Sequence, residues 1–331
     1  MKNPFVTNGY VSPEYFCDRE KETAKIVSLL TNENNIALIS PRRLGKTDLL
    51  RHCFGQPEIK EHYHTFIIDI YATSSVRDFV NVFGKAVLDE LRPKGKSVWG
   101  TFLNVLASLR SEITFDMNGQ PTWGIGLGAI TNPSATLDEI FSYLNNAGKP
   151  CLIAIDEFQQ ITKYADDPNI EAALRTHIQR CSNAHFVFSG SHRHLMGAMF
   201  TSPARPFYQS VTLINLPPIS VDKYAEFCLK HFERVSKHLD TLVVTELYER
   251  FNGITSYMQK VMNILFSMTG TGEICIPSMI DTAINDLLDF SADTYDALLY
   301  QMPEKQRIVF MAIAAEGKAK AISSGDFEIG R

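Results

Sequence analysis

Three clusters in this sequence combine residue types and spacings suited to phosphate chemistry. The first is Ser40-Pro41-Arg42-Arg43-Leu44-Gly45-Lys46-Thr47-Asp48. It nearly fits the phosphate-loop pattern G-x-x-x-x-G-K-[ST], with Ser40 where the first glycine belongs. Such a loop needs a strand to deliver it and backbone amides converging at a helix N-terminus, where the helix dipole favours anions. It also needs a lysine that reaches the phosphates and a hydroxyl that holds Mg²⁺. "IALIS" supplies the strand, Gly45 the tight turn, Lys46 the cation and Thr47 the hydroxyl. Ser40 is acceptable if it need not adopt positive φ, because Pro41 already fixes the next backbone position. The bland alternative is a basic strand–loop–helix without a ligand.

The second cluster weighs against that alternative. "CLIAIDEF" places Asp156 and Glu157 at the end of an apolar strand. In phosphoryl-transfer sites an acidic residue here orders the metal ion. The adjoining Glu157 is a base within reach of water, provided its strand lies beside that of the loop. The third cluster, Ser189-Gly190-Ser191, ends another apolar run. Its serines are placed to touch a terminal phosphate, or are simply turn residues.

The elements around these clusters read as an α/β layered fold. The runs at 35–40, 65–71, 151–156, 185–191 and 211–216 are short, rich in Ile, Val and Phe, and do not alternate cleanly. Buried strands of a parallel sheet have that character. Helical patterns at 46–54, 75–92, 136–147, 169–182 and 192–200 separate them. Within 111–130 an Asn-Gly turn at 118–119 predicts an inserted hairpin at the sheet edge or rim. Gly124, Gly126 and Gly128 there read as strand glycines, not a phosphate loop. After Pro217-Pro218 four amphipathic helix patterns follow with no strand between them. The expected division is a nucleotide-binding core over 1–216, a helical lid over 217–294 and a further element over 295–331.

Composition fits a globular protein: 331 residues, 45% hydrophobic and 21% charged, with net charge −5. The acidic balance gives no bulk support for nucleic-acid binding, though a local patch is compatible with it. Six scattered cysteines without a C-x-x-C pair read as reduced thiols. There is no signal-peptide layout, and no apolar run approaches the roughly 20 residues that span a bilayer. A cytoplasmic chain without membrane contact is expected. "HYH" (62–64) and "HRH" (192–194) have a spacing metals can use, but no third ligand is apparent.

In this order the motifs resemble the archaeal-type ATPase family. These are P-loop enzymes of AAA+/RecA-like fold, related to origin-recognition and signal-transduction (STAND) ATPases. The resemblance runs from "YFCDREKETAKIVSLL" through "ISPRRLGKT", "LIAIDEFQQI" and "VFSGSHRHLM" to "INLPPIS". It implies ATP and Mg²⁺ as cofactors, with Lys46 on phosphate, Thr47 and Asp156 on Mg²⁺, Glu157 as base and Ser191 as sensor. Arg42 and Arg43 would neutralise phosphate or meet a neighbouring subunit. Beside the resemblance, Arg19 and Glu22 are candidates to seat the adenine end, with Tyr15 or Phe16 packed either on the base or in the core. Relatives carry a Gly-Arg pair after the sensor strand; "SPARPFYQS" offers Arg205 instead. Their lid has Gly-Gly-x-Pro, whereas "FNGITSYMQ" keeps Gly253 and lacks the proline. Relatives commonly end in a winged helix, and "MPEKQRIVFMAIAAEG" resembles its first helix. The sequence stops before a recognition helix, so a partial module is expected. The resemblance implies a slow switch or remodeller acting with a protein partner or itself. A non-hydrolysing nucleotide module and a DNA-associated ATPase are the alternatives.

Overall fold

The computed structural model describes residues 3–91, 113–115, 121–123 and 133–317. Among them run β1 (Ile36–Ile39), β2 (His64–Asp69), β3 (Ile113–Phe115), β4 (Pro121–Trp123), β5 (Cys151–Asp156), β6 (Ala184–Gly190), β7 (Thr212–Asn215), β8 (His238–Leu239) and β9 (Ile274–Cys275). Five of these form one sheet in the order β2-β5-β6-β1-β7, with every pairing parallel. Every residue of β1, β5 and β6 is buried, whereas β2 and β7 mix buried and accessible positions. That contrast is what three inner strands between two edge strands require.

Strand periodicity assigns side chains to the two faces. Ala37, Ile39, Ile153, Ile155, Phe186 and Phe188 join one apolar cluster with helices Val76–Glu90, Pro133–Asn145 and Ile170–Arg180. Ile36, Leu38, Leu152, Ala154 and Val187 join the other, with helices Glu20–Thr31 and Lys46–Phe54. Because the sheet is parallel, the loops after β1, β5 and β6 emerge at a single edge. Ligands of open α/β sheets bind outside that carboxyl edge.

The expected hairpin is present as β3 paired antiparallel with β4, Thr114 opposite Thr122. It forms a sheet of its own. Its Asn-Gly turn and the glycines at 124, 126 and 128 lie outside the described residues.

Helices Val221–Glu233, Thr241–Phe251, Thr255–Met268 and Ile280–Asp289 follow and enclose a separate apolar cluster. The expectation of no strand here needs correction, because β8 and β9 pair in parallel, Leu239 opposite Cys275. Two-residue strands carry too little periodicity to register in sequence. The amphipathic pattern over 277–302 also breaks into a 3₁₀ turn and two helices, Ile280–Asp289 and Ala292–Gln301. Helix Ala292–Gln301 and the next, Glu304–Glu316, bury no residue.

The N-terminal segment, grouped by sequence with the first domain, plugs into the helical one. Phe5 is fully buried in that cluster, together with Cys17. Asn3 donates to the Asn263 carbonyl (2.8 Å), and Asn263 returns a bond to the Phe5 carbonyl (2.7 Å). Among the described residues no helix is long and apolar enough to cross a membrane. All six cysteines are free and buried.

Candidate functional site

Leaving β1, the chain turns sharply at the carboxyl edge. Ser40 is buried, and its amide donates to the Gly190 carbonyl (3.3 Å). The left-handed backbone falls on Arg43 (φ 69°) and Gly45 (φ 83°), not on Ser40. The missing first glycine is therefore tolerated: positive φ falls at positions 43 and 45, and Ser40 at the loop's start carries none. Gly45 immediately precedes helix Lys46–Phe54, so the unpaired amides of its first turn face the loop. Lys46 folds back over it, its Nζ donating to the carbonyls of Ser40 (3.2 Å) and Pro41 (3.4 Å). Burial pulls the Lys46 pKa below its ordinary value, while Asp156 and Glu157 oppose that shift.

Asp156 ends β5, which does not lie beside β1, since β6 runs between them. Two strand spacings are about 9.6 Å, and the loop and first helical turn span that gap. The Thr47 hydroxyl donates to Asp156 Oδ2 at 2.5 Å, and the Glu157 amide donates to Oδ1 at 3.0 Å. Glu157 has left-handed backbone (φ 54°), which turns the chain off the strand. Its Oε2 accepts from Gln159 Nε2 (2.5 Å) and from the Ser191 hydroxyl (2.8 Å). Arg42 Nε in turn donates to Ser191 Oγ (3.4 Å). Of the two candidate serines, Ser191 thus stands beside the carboxylate pair. Ser189 is fully buried within β6, and its hydroxyl has no hydrogen-bond partner among the described residues.

A cleft of about 350 Å³ opens over these groups, within the size range of small-molecule sites. Arg42, Arg43, Leu44, Gly45, Lys46, Thr47 and Asp48 line one end, with Asp156 and Glu157. The other end is walled by Val6, Thr7, Gly9, Tyr10 and Val11 with Tyr15, Phe16 and Arg19. Arg19 is 3% exposed, takes left-handed φ before helix Glu20–Thr31 and donates to Glu22 (3.0 Å). Phe16 stacks on His52 at 4.3 Å and Tyr15 stacks on His231 at 5.8 Å. The Tyr10 hydroxyl meets His52 Nδ1 at 3.1 Å. Burial raises the Asp48 pKa, opposed by Arg51 and by the Tyr10 amide. Thr255, Ser256 and Gln259 close the cleft from the helical domain, with Ile219. The Ser256 amide donates to the Arg43 carbonyl (3.2 Å), and the Arg43 guanidinium lies 4.9 Å above the Tyr257 ring.

Sequence reasoning missed the 6–11 segment, which carries no local pattern, and quoted the stretches holding Ile219 and 255–259 without assigning those residues to the cleft. The charged candidate it placed here without support is Arg205. That residue does not line the cleft and is ion-paired with Glu171, on helix Ile170–Arg180. The reason is topological: helix Arg193–Thr201 carries the chain away from the carboxyl edge before residue 205.

Comparison with known proteins decides the family. Residues 16–261 match the ATPase domain predominantly from Archaea. The chain belongs to this archaeal-type ATPase family. Residues 293–329 match a probable winged helix domain. In structure, this ATPase domain protein is similar to the Walker-type ATPase of Pyrococcus abyssi, with TM-score 0.60 and 17% identity over 90% of this chain and 79% of that one. It is also similar to Aeropyrum pernix ORC2 in ADPNP–ADP complexes, with TM-score 0.57 and 13% identity over 86% and 71%. A. pernix ORC1 in complex with DNA gives TM-score 0.56 and 13% identity over 95% and 74%. At such identities these structures carry the fold and not the chemistry. No curated protein matches the archaeal-type ATPase chain in sequence.

Proposed function

We propose that the chain binds ATP with Mg²⁺ in this cleft, hydrolyses it to ADP and phosphate, and uses the cycle as a slow switch or remodelling device. The observation that carries the reading is the convergence of Lys46, Thr47–Asp156 and Glu157 at one sheet edge. Thr47 and Asp156 offer two oxygens in hydrogen-bond contact, which suits a hard cation that takes its other ligands from phosphate and water. Bound there, the ion would neutralise charge on the phosphate oxygens. Lys46 and the loop amides hold the β- and γ-phosphates. Glu157 orients a water and takes its proton as the water oxygen attacks the γ-phosphorus; the bond to the β-γ bridging oxygen breaks and ADP departs. Ser191 and Arg42 flank the γ-phosphate end. The aromatic end seats the base, with Tyr15 or Phe16 against it and Arg19 beneath. Arg205, outside the cleft, is left to act on a neighbouring copy, which makes self-association part of the reading.

Phosphate release by wild type, Glu157→Gln and Lys46→Ala tests this. Turnover by wild type, ATP binding without turnover by Glu157→Gln, and loss of binding by Lys46→Ala are expected. Tight ATP binding with no hydrolysis by wild type would make the chain a nucleotide-gated module instead.

The winged helix match favours a second reading, in which the ATPase works on DNA. DNA affinity that falls with salt and disappears on removing residues 293–331 would support it.

A further inference from the structure

We propose that Gln159 is a positioning residue for the hydrolytic carboxylate. Its amide and the Ser191 hydroxyl occupy Oε2 of Glu157 and leave Oε1 as the oxygen that accepts from water. The proposal rests on the reading of Glu157 as the base.

The geometry singles out Gln159 in four ways. It is 3% exposed, in the first turn of the 3₁₀ segment Phe158–Lys163. Its Nε2 lies 2.5 Å from Glu157 Oε2, the same oxygen that takes the Ser191 hydroxyl at 2.8 Å. Its other polar atom, Oε1, is buried and has no hydrogen-bond partner among the described residues. Reversing the amide would press that carbonyl against the carboxylate, acceptor on acceptor, so the charge of Glu157 fixes which end faces it.

A residue serving packing alone would be apolar here, because an unpaired buried carbonyl is unfavourable. What the amide supplies is the donor to Glu157. The room it needs comes from Gly190: a Cβ there would meet the Gln159 carbonyl and would lie 2.6 Å from Met196 Cγ. The segment bearing it is anchored at both sides, Gln160 Nε2 donating to the Thr73 carbonyl (2.9 Å) and Thr162 Oγ1 to the Gln159 carbonyl (2.8 Å).

The physical need for such a residue follows from the carboxylate itself. The last torsion of a glutamate is broad and two-fold, so a free side chain presents either oxygen in any orientation. Glu157 leaves a left-handed backbone turn, which aims the stem of the side chain but not its head. Two donors on one oxygen remove that freedom and define one acceptor direction, which is the orientation a near-attack geometry requires.

The test is steady-state and single-turnover ATP hydrolysis by the full chain carrying Gln159→Met, which keeps the length and loses the donor. We expect kcat to fall about tenfold, with KM and ATP affinity within about twofold of wild type. Gln159→Leu carries the same expectation if the methionine variant does not fold, as judged by its melting curve. An unchanged kcat would overturn the proposal. So would a faster rate, which would make the contact a brake. A fall in ATP affinity matching the fall in rate would reduce Gln159 to a structural role. Hydrolysis that survives Glu157→Gln sinks the base reading itself. A dead Glu157→Gln beside a fully active Gln159→Met sinks only the positioning role.

Discussion

The two ends of the cleft are built on different principles. The phosphate end is one contiguous stretch, 40–48, whose backbone amides and Lys46 act together because a strand delivers them to a helix start. The aromatic end is assembled from residues 6–19, His52, Ile219 and the 255–259 turn, which meet only in the folded chain. Local geometry suffices for anion binding, since a helix N-terminus carries its own donors. A wall for a base needs surfaces from several elements, and so it also reports how those elements sit together. Here the wall includes a segment anchored in the helical domain's core by Phe5 and Cys17. On the proposed reading, a nucleotide filling this end would touch both that segment and the first turn of helix Thr255–Met268.

Substitution at Lys46 should break the phosphate end most severely. Lys46→Ala is expected to weaken ATP binding at least about 100-fold, or about 2.8 kcal/mol, by titration calorimetry. The melting temperature of the nucleotide-free protein should not fall, because a buried cation is removed. Retained affinity would mean that the loop amides alone hold the phosphates.

Truncating the aromatic end should give a smaller and selective effect. Phe16→Ala is expected to weaken ATP binding about tenfold while leaving inorganic tripolyphosphate affinity unchanged. Equal losses for both ligands would show that the two ends are not energetically separate.

The seam between the ends is Arg43, which touches Tyr257 and Ser256. Arg43→Gln keeps a side chain at the left-handed position but removes the cation over the ring. The lost contact, about 0.5–1 kcal/mol, should speed amide exchange in helix Thr255–Met268 a few-fold. No change there would mean that the 40–48 loop does not hold that helix.

Acidification should act on the fold as a whole and give the smallest contrast between the two ends. Burial lowers the pKa values of His52, His177, His185 and His231 from 6.5. A lowered folded value means that the unfolded chain takes up these protons first, so stability rises with pH in that window. Melting temperature is therefore expected to drop as pH falls below 6.5. His52→Gln should flatten that dependence slightly if the Phe16 stack contributes.

Much of the core was legible because its signals are short-range. The spans 46–54 and 151–156 were read as they occur, one bounded by Gly45 and the other by apolar continuity. Asp156 and Glu157 stood out because two charges ending a buried strand need a partner, and the structure supplies Thr47, Gln159 and Ser191. The position of β6 between β1 and β5 was not legible, since apolar strands carry no label for their neighbours. Nor was the pairing of Tyr224 with Gln259, or of Glu171 with Arg205, as each joins residues far apart in the chain.

The sequence by itself determined the strands of the main sheet, the loop over 40–48 and the carboxylate pair, because each depends on neighbouring residues and on the period of burial. Tertiary structure alone decided which serine meets Glu157, where Arg205 goes and what walls the far end of the cleft. Those outcomes depend on strand order and helix direction, which set the distances between segments that no local pattern encodes.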